Sequence, residues 1–497
     1  MIEVLSSNGC RAMDKEAIDK INIPSIVLME NAVFSLVKYF DELDQILIVC
    51  GTGNNGGDGL ALARHLSLKG KMVKVFIIGS LDSASKDFNC NYTILKNIQV
   101  NITLINQGNC NNEFASDNSS VIVDCIFGTG LSRMLNQEFI NVVNNINSAC
   151  AYKISVDVPS GINCDTGEVL GAAVEADKTI TFQVMKKGFF NYKALKYLGE
   201  VIVEPIGIPE SVLNNVSENL RVLEKKDVLK NIPVRDIFGH KGTYGRVAVI
   251  AGSKEFSGAA YLTTEAAVKT GSGLVNLYTH KELQTVMNCK LSEAMVDSYE
   301  NKENLREKLN KADAVAFGPG LGNSEKTFEM LKWVLSNFTG KIVIDADGIN
   351  VLARDLGLLQ GIRSEVVITP HPGEMARLTG KKIEEVNENR IQTATDFSQK
   401  YKVVVLLKGL STIIADGNKV YINPSGNSSM ASGGMGDTLT GIIASLMGQG
   451  LDAAEAAKTG AYIHGYIGED LSMNMYSVNA SEIIKNIPYY LRNITKA

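Results

Sequence analysis

Residues 424–441 read PSGNSSMASGGMGDTLTG, and this stretch decides how the second half of the chain folds. It holds five glycines, four serines and one carboxylate, Asp437, and runs directly into the apolar, helically spaced LTGIIASLM. Glycine tolerates positive φ and allows close backbone approach. A helix starting near Gly436 therefore offers unpaired N–H groups and the positive end of its dipole to an anion. Asp437 falls on the first turn of that helix, beside a phosphate-sized hollow. A carboxylate there suits phosphoryl transfer, in which an anion cradle positions the phosphate and one base accepts a hydroxyl proton. The blander reading is a glycine-led helix start with an Asp satisfying it.

Working outward, strand–loop units precede this stretch at HKGTYGRVAVIAGS (240–253), DAVAFGPGLG (313–322), KIVIDADGIN (341–350), EVVITPHPGEMARLTG (365–380) and VVVLLKGLSTIIAD (403–416). FSGAAYLTTEAAVKTGSG (256–273) reads as a helix between the first two. The recurrence predicts an α/β sheet with its loops gathered along one edge. The pattern G-x-x-x-x-G-K-[ST] is missing, which excludes a P-loop nucleotide site.

The first half repeats the alternation. A buried strand over 45–50 leads into GTGNNGGDGLALARHLSLKG (51–70), after two helices within 8–40. Strands are predicted over 71–78, 100–105, 120–126, 151–156 and 200–205, and helices over 83–97 and 136–148. That is a Rossmann-like parallel sheet. Residues 51–56 match G-x-G-x-x-G in a dinucleotide-binding context. Asn54, Asn55 and Asp58, however, crowd a turn that an NAD fingerprint keeps small; amides and a carboxylate suit ribose hydroxyls or a cation. Two further strands end in polar, glycine-bearing loops, DCIFGTGLSRM from Asp124 and DVPSGI from Asp157. In open parallel sheets, ligands bind at such strand ends. Asn55, Asp124 and Ser160 are hard oxygen donors that either hold an alkali cation together or hydrogen-bond their loops separately. Without a carboxylate cluster they do not suit a divalent metal.

At 497 residues the chain is too long for one ordinary core. The expected division is 1–214 and 222–497, with the break near residue 215 in the polar stretch SVLNNVSENLRVLEKKDVLKNIPVR, read as a linker. A net charge of −5 points to neither nucleic acid nor a membrane surface. Eight scattered cysteines without a CxxC pair, and no signal-like or membrane-spanning run, predict reduced thiols and a cytoplasmic location.

These residues carry two resemblances. NNGGDG, DCIFGTGLSR, DVPSGI, ADKTITF and LMENA together resemble the YjeF N-terminal domain, the NAD(P)H-hydrate epimerase family, over roughly residues 1–210. The resemblance implies substrate contacts at Asn54, Asn55, Gly56, Gly57 and Asp58. It extends them to Gly128, Thr129, Gly130, Leu131, Ser132, Arg133 and Met134, and to Asp157 as the group handling the proton. It also implies potassium at Asn55, Asp124 and Ser160, with the dinucleotide as substrate rather than cofactor.

Residues 222–497 resemble the ribokinase-like YjeF C-terminal domain, the ADP-dependent NAD(P)H-hydrate dehydratase, through HKGTYGRVAVIAGS, GPGLG, DADGIN, TPHPGEMARL, KGLST and GGMGD in family order. The implied roles are Asp437 as base and Gly436 against the nucleotide phosphates. Lys408, Gly409, Leu410, Ser411 and Thr412 would line the adenine nucleotide, and Ala260, Gly322 and His371 the hydrate. The implied chemistry passes a phosphoryl from ADP to the C6 hydroxyl, making it a leaving group; AMP and phosphate are released, with magnesium accompanying the nucleotide. A homo-oligomer is also expected. One departure stands out: the family's G-N-P-G-M-A is Gly426-Asn-Ser-Ser-Met-Ala431 here. The rival readings are a kinase of a small hydroxylated substrate from the same superfamily, and a first domain that serves as a dinucleotide-binding scaffold.

Overall fold

The computed structural model describes residues 1–106, 108–115 and 117–494, so the last three positions of the 222–497 domain lie outside the described residues. The chain separates into two compact units, Ile2–Glu218 and Asn219–Ala497 with Met1.

The first unit is built on seven parallel strands. Their order across the sheet is Asn101–Ile105, Met72–Ile78, Gln45–Cys50, Val121–Cys125, Tyr152–Val156, Lys178–Phe182 and Glu200–Glu204. Ile46 to Cys50 are all fully buried, as expected of a strand with helices on both faces. Chain order reverses between Gln45–Cys50 and Val121–Cys125, which pair from Ile46↔Val121 to Cys50↔Cys125. The loops leaving these two strands therefore open a crevice at the switch point. Glycine is obligatory where they fold back. A Cβ on Gly56 would lie 1.8 Å from the Gly51 carbonyl, and one on Gly51 2.2 Å from that of Ile126.

The second unit carries a ten-strand series: Met295–Ser298, Leu274–Thr279, Arg246–Ile250, Ala314–Phe317, Lys341–Ile344, Glu365–Ile368, Val404–Leu407, Thr412–Asp416, Lys419–Asn423 and Leu220–Val222. The first seven run parallel. Helices Ser257–Thr270 and Met435–Gly448 pack together on the sheet, and their facing residues, from Ala260, Ala266 and Ala267 to Ile442, Ile443 and Leu446, are 0% exposed. A Cβ on Gly441 would strike the Thr263 carbonyl at 2.2 Å, so glycine sets how closely these helices approach.

Two local readings change. Residues 403–416 form an antiparallel pair, Leu406↔Ile414, rather than one strand-loop unit. The stretch read as a linker holds helix Glu210–Val216, strand Leu220–Val222 and helix Lys225–Leu229. Its Leu220 and Val222 are buried because the strand adds in parallel beside Lys419–Asn423. A partner distant in sequence leaves no periodic signal in three residues.

Candidate active sites

The first site is a cavity of about 770 Å³ over the switch point of the seven-strand sheet. Gly51 to Asn55 and Asp58 line it from one loop, Ile126 to Arg133 from the next, and Asp157 from the third. Met134 stands 66% exposed beyond that lining, while Gly56 and Gly57 lie behind it; a Cβ on Gly57 would meet the Met29 Cε at 2.7 Å. Gly128 faces Asp157 directly, for a Cβ there would come 3.0 Å from Asp157 Oδ2.

Asp124 is the anchor of these loops. Its buried carboxylate accepts from Ser155 Oγ at 2.9 Å, Ser160 N–H at 2.8 Å, Ser160 Oγ at 2.6 Å and Ile126 N–H at 3.2 Å. Burial nonetheless pushes its pKa above the ordinary carboxylate value. Asn55 donates from Nδ2 to the Val156 carbonyl at 3.2 Å, and its Oδ1 is buried with no hydrogen-bond partner. A buried amide oxygen without a donor is costly. An alkali cation would satisfy it, and the neighbouring donors are hard oxygens carrying a single carboxylate charge. The three residues fit potassium on this chemistry. Among the described residues no group of three His, Cys, Asp or Glu side chains could hold a metal.

Asp157 sits at φ 68°, a left-handed conformation that Asp tolerates better than most residues. Its Oδ1 receives Lys186 Nζ at 2.9 Å and Thr181 Oγ1 at 3.2 Å. Lys186 is 3% exposed and also donates to the carbonyls of Phe182 and Val184, each at 3.2 Å. Burial pulls its pKa down, but Asp157 together with Cys10 and Cys164 overcomes that and holds it above the ordinary lysine value. Sequence reading missed Lys186. Its only signal was an ammonium just beyond the strand KTITF, a place where Lys is more often a surface residue.

The second site centres on helix Met435–Gly448, led by Gly434 at φ 88°. Its hydrogen-bond ladder begins with Thr438 N–H donating to Gly434 at 3.0 Å, so the N–H groups of Met435, Gly436 and Asp437 stand ahead of it. A Cβ on Gly436 would lie 3.2 Å from Lys408 Nζ and 3.5 Å from Asp345 Oδ2. Lys408 in turn pairs with Asp345 Oδ1 at 2.7 Å, and Thr440 Oγ1 donates to Asp345 Oδ2 at 2.8 Å. Asp437 is half-buried, and burial together with the Asp345 charge raises its pKa to about 6, against the lowering by Lys408. It is thus mostly ionised at neutral pH yet basic enough to accept a proton.

The other expected residues surround this centre. Gly322, at φ 81°, donates its N–H to Asp347 Oδ2 at 2.8 Å. His371 caps helix Pro372–Thr379 through Nδ1, 3.0 Å from Gly373 N–H, and its own N–H donates to Glu374 Oε2 at 2.8 Å. Burial and then Lys408 lower its pKa. Glu374 is buried and raised to about 7, first by burial. Ala260 is fully buried on helix Ser257–Thr270, where a Cβ on Gly252 would meet its own at 2.7 Å. The loop Lys408 to Thr412 turns with Gly409 at φ 142° and Ser411 at φ 53°. Arg390 braces it, donating to the carbonyls of Leu407 at 3.2 Å, Lys408 at 3.3 Å and Leu410. The Gly426–Ala431 turn forms without Pro-Gly: Asn427 Oδ1 accepts from Ser429 N–H at 3.0 Å and caps the short 3-10 turn Ser428–Met430. Asp345, Glu374 and Arg390 escaped the sequence reading, although the first two stand inside quoted motifs.

Two family models match successive parts of the chain. One, described as YjeF-related protein N-terminus, covers residues 25–188; the other, described as NAD(P)H-hydrate dehydratase, covers 247–489. The bifunctional NAD(P)H-hydrate repair enzyme Nnr of Moorella thermoacetica is 37% identical over 505 aligned positions, covering 97% of this chain and 95% of the relative. The chain belongs to this family of bifunctional repair enzymes. Its Escherichia coli K12 member is 32% identical over 471 positions, covering 94% of this chain and 89% of that one. Among solved structures, a ribokinase-like superfamily protein from Enterococcus faecalis aligns with a TM-score of 0.53 at 30% identity, covering 56% of this chain and 98% of that one. The ADP/ATP-dependent NAD(P)H-hydrate dehydratase of Bacillus subtilis, crystallised with ATP and magnesium, aligns at 0.50 and 28% identity, covering 56% and 100%. Within the repair family this chain is thus a two-domain α/β enzyme with a ribokinase-like second unit. Among the described residues no helix is long and apolar enough to cross a membrane.

Proposed function

We propose that this enzyme restores hydrated nicotinamide dinucleotides: the first unit interconverts the R and S forms of NAD(P)H hydrate, and the second dehydrates the S form at the expense of ADP. The observation that supports this most is the presence in one chain of two complete loop sets, each at the carboxyl ends of a parallel sheet. The hydroxyl at C6 is a poor leaving group. Asp437 takes its proton as the oxygen attacks the terminal phosphoryl of ADP. The N–H groups of Met435 to Asp437, with Lys408 behind Gly436, hold the phosphate charge that develops; one such donor is worth roughly 3 kcal/mol. AMP departs in that transfer, and elimination of the phosphate from C6 with a proton from C5 then restores NAD(P)H. Ala260, Gly322 and His371 hold the hydrate, and Gly409 to Thr412 the adenine nucleotide, with magnesium accompanying it. In the first unit Asn54 to Asp58 and Gly128 to Met134 hold the dinucleotide and Asp157 handles the proton; Asn55, Asp124 and Ser160 would hold a potassium ion, which would supply fixed positive charge to the site. The enzyme works in the cytoplasm as a homo-oligomer; the chemistry of eight free cysteines agrees with a reducing compartment.

The test follows reduced-nicotinamide absorbance with an S/R mixture of NADH hydrate and excess ADP. Absorbance should climb without a break to nearly full recovery. With Asp157→Ala the curve should start at the same rate and then slow to the no-enzyme epimerisation rate once the S form is consumed. An unbroken curve to full recovery in that variant would refute the epimerase assignment, and a stable phosphorylated product would refute the dehydratase.

A further inference from the structure

The geometry points to Asp14 as a second catalytic residue of the first site, supplying a proton to the substrate while Asp157 removes one. This inference rests on the epimerase reading given above. Asp14 lies on helix Ser7–Asp19 and faces the 770 Å³ cavity, whose lining includes Asp14, Asn54, Asp58, Gly128 to Arg133, Asp157 and Lys186. Cys10, Met13 and Ile18 of the same helix line the cavity beside Asp14, so this face of the helix is the one turned to it. Ser7 ties the first turn down, giving its N–H and Oγ to Asp165 at 2.5 and 2.7 Å.

The two carboxyls have different neighbours. Asp157 is paired with Lys186 at 2.9 Å. Asp14 makes no hydrogen bond or ion pair among the described residues, and the nearby Arg11 spends its guanidinium on Asn8 and Ser7 at 2.9 and 3.3 Å. The groups facing Asp14 are Asp157, Lys186, Asp58 and Cys10. Asp14 is exposed, but into the cavity. There the surrounding protein and then Asp157 push its pKa up to about 6, and Lys186 opposes them. A carboxyl raised in this way beside an ion-paired one is suited to act as the acid while its partner acts as the base.

That division matches what inversion at C6 of the hydrate requires. Asp157 takes the C6 hydroxyl proton, a C6=O double bond forms, and the N1–C6 bond breaks as Asp14 gives its proton to N1. Rotation about C5–C6 presents the other face of the aldehyde. N1 then attacks C6, its proton returns to Asp14, and the new alkoxide takes the proton from Asp157. No proton or electron is gained or lost. The hydroxyl oxygen and N1 are bonded to the same carbon, so the acid and base must share one cavity, as Asp14 and Asp157 do.

The experiment starts from S NADH hydrate without ADP and measures appearance of the R form by chromatography between pH 5 and 9. The wild type should lose about tenfold per pH unit above pH 6, where Asp14 loses its proton. Asp14→Asn should epimerise about 10²–10⁴-fold more slowly at the optimum and lose that alkaline limb, and Asp14→Glu should recover part of both. Dehydration of S hydrate with ADP should persist in both variants, and the calorimetric transition that ADP leaves unshifted, which marks the first unit, should match wild type, which shows that this unit has folded. An Asp14→Asn protein within threefold of wild type, or slow with the alkaline limb intact, overturns the inference. If Asp14→Asn fails to fold, Asp14→Glu decides: an unshifted limb overturns the inference and a shifted limb supports it. A wild type that leaves S hydrate unconverted overturns the epimerase reading and this inference with it, whereas an active wild type beside an equally active Asp14→Asn overturns this inference alone.

Discussion

Lys408→Met removes the ammonium that faces Asp345, a carboxylate only 1% exposed. Breaking a buried pair from one side costs about 3–5 kcal/mol, because the remaining charge is left without a partner. Here the cost should fall near 3 kcal/mol, at the low end of that range. Thr440 still donates to Asp345 at 2.8 Å, Thr369 adds a second hydroxyl, and Lys408 itself is 21% exposed. For a unit of this size that is a fall of about 6–12 °C in the melting midpoint. The sign with pH follows from Asp345. Its folded pKa is lowered, burial being overcome by Lys408 together with the Thr369 and Thr440 hydroxyls, so its contribution is present above the unfolded carboxylate pKa and lost as pH falls through the folded one. Without Lys408, burial is opposed only by the Thr369 and Thr440 hydroxyls and the folded pKa rises, so the variant loses stability as pH rises. The gap to wild type should therefore widen from pH 4 to pH 7. Calorimetry on the full chain would follow the transition that ADP shifts upward, which marks the second unit. Lys408→Met with Asp345→Asn removes the stranded charge and should recover most of the loss. A single variant costing under about 1 kcal/mol, or a gap that narrows with pH, would refute the buried-pair argument.

Asp437→Asn should slow dehydration by about 10²–10⁴-fold while nucleotide binding, measured calorimetrically, persists. In the wild type, dehydration should rise with pH to a plateau above about 6, where Asp437 becomes ionised. A raised carboxylate pKa also means stability lost as pH rises through 6, so the Asn variant should melt at or above the wild-type temperature at pH 8. Gly56→Ala places a Cβ 1.8 Å from the Gly51 carbonyl; it should destabilise the first unit by about 3 kcal/mol or more and abolish epimerisation, with dehydration of S hydrate unchanged. Exchange of potassium for lithium should stop epimerisation and spare dehydration, and Asp124→Ala should reproduce that pattern in potassium.

Much of this enzyme is written locally. Apolar runs bounded by glycine turns, such as QILIVC before GTGNNGG, locate strands because a strand covered on both faces needs no alternation. The stretch around Asp437 declares its helix start because glycine adopts Gly434's positive φ without strain and lets the backbone approach at Gly436. Loops such as GTGNNGG after Gln45–Cys50 and GPGLG after Ala314–Phe317 follow their strands directly, so their position at the sheet edge needs no knowledge of strand order.

What sequence could not supply is which distant groups meet. The Lys186–Asp157 pair depends on how the strand Lys178–Phe182 lies beside Tyr152–Val156, and the Asp345–Lys408–Gly436 stack on three segments that span 92 residues of chain. The short strand Leu220–Val222 exists only because Lys419–Asn423 leaves an edge for it. Asp14 reads as one more acidic residue on an amphipathic helix until the helix is seen to face the cavity. The reason is common to all of these. Backbone conformation follows from side chains within a few residues, whereas the charge state of a carboxyl follows from desolvation and from neighbours that only tertiary packing brings within reach.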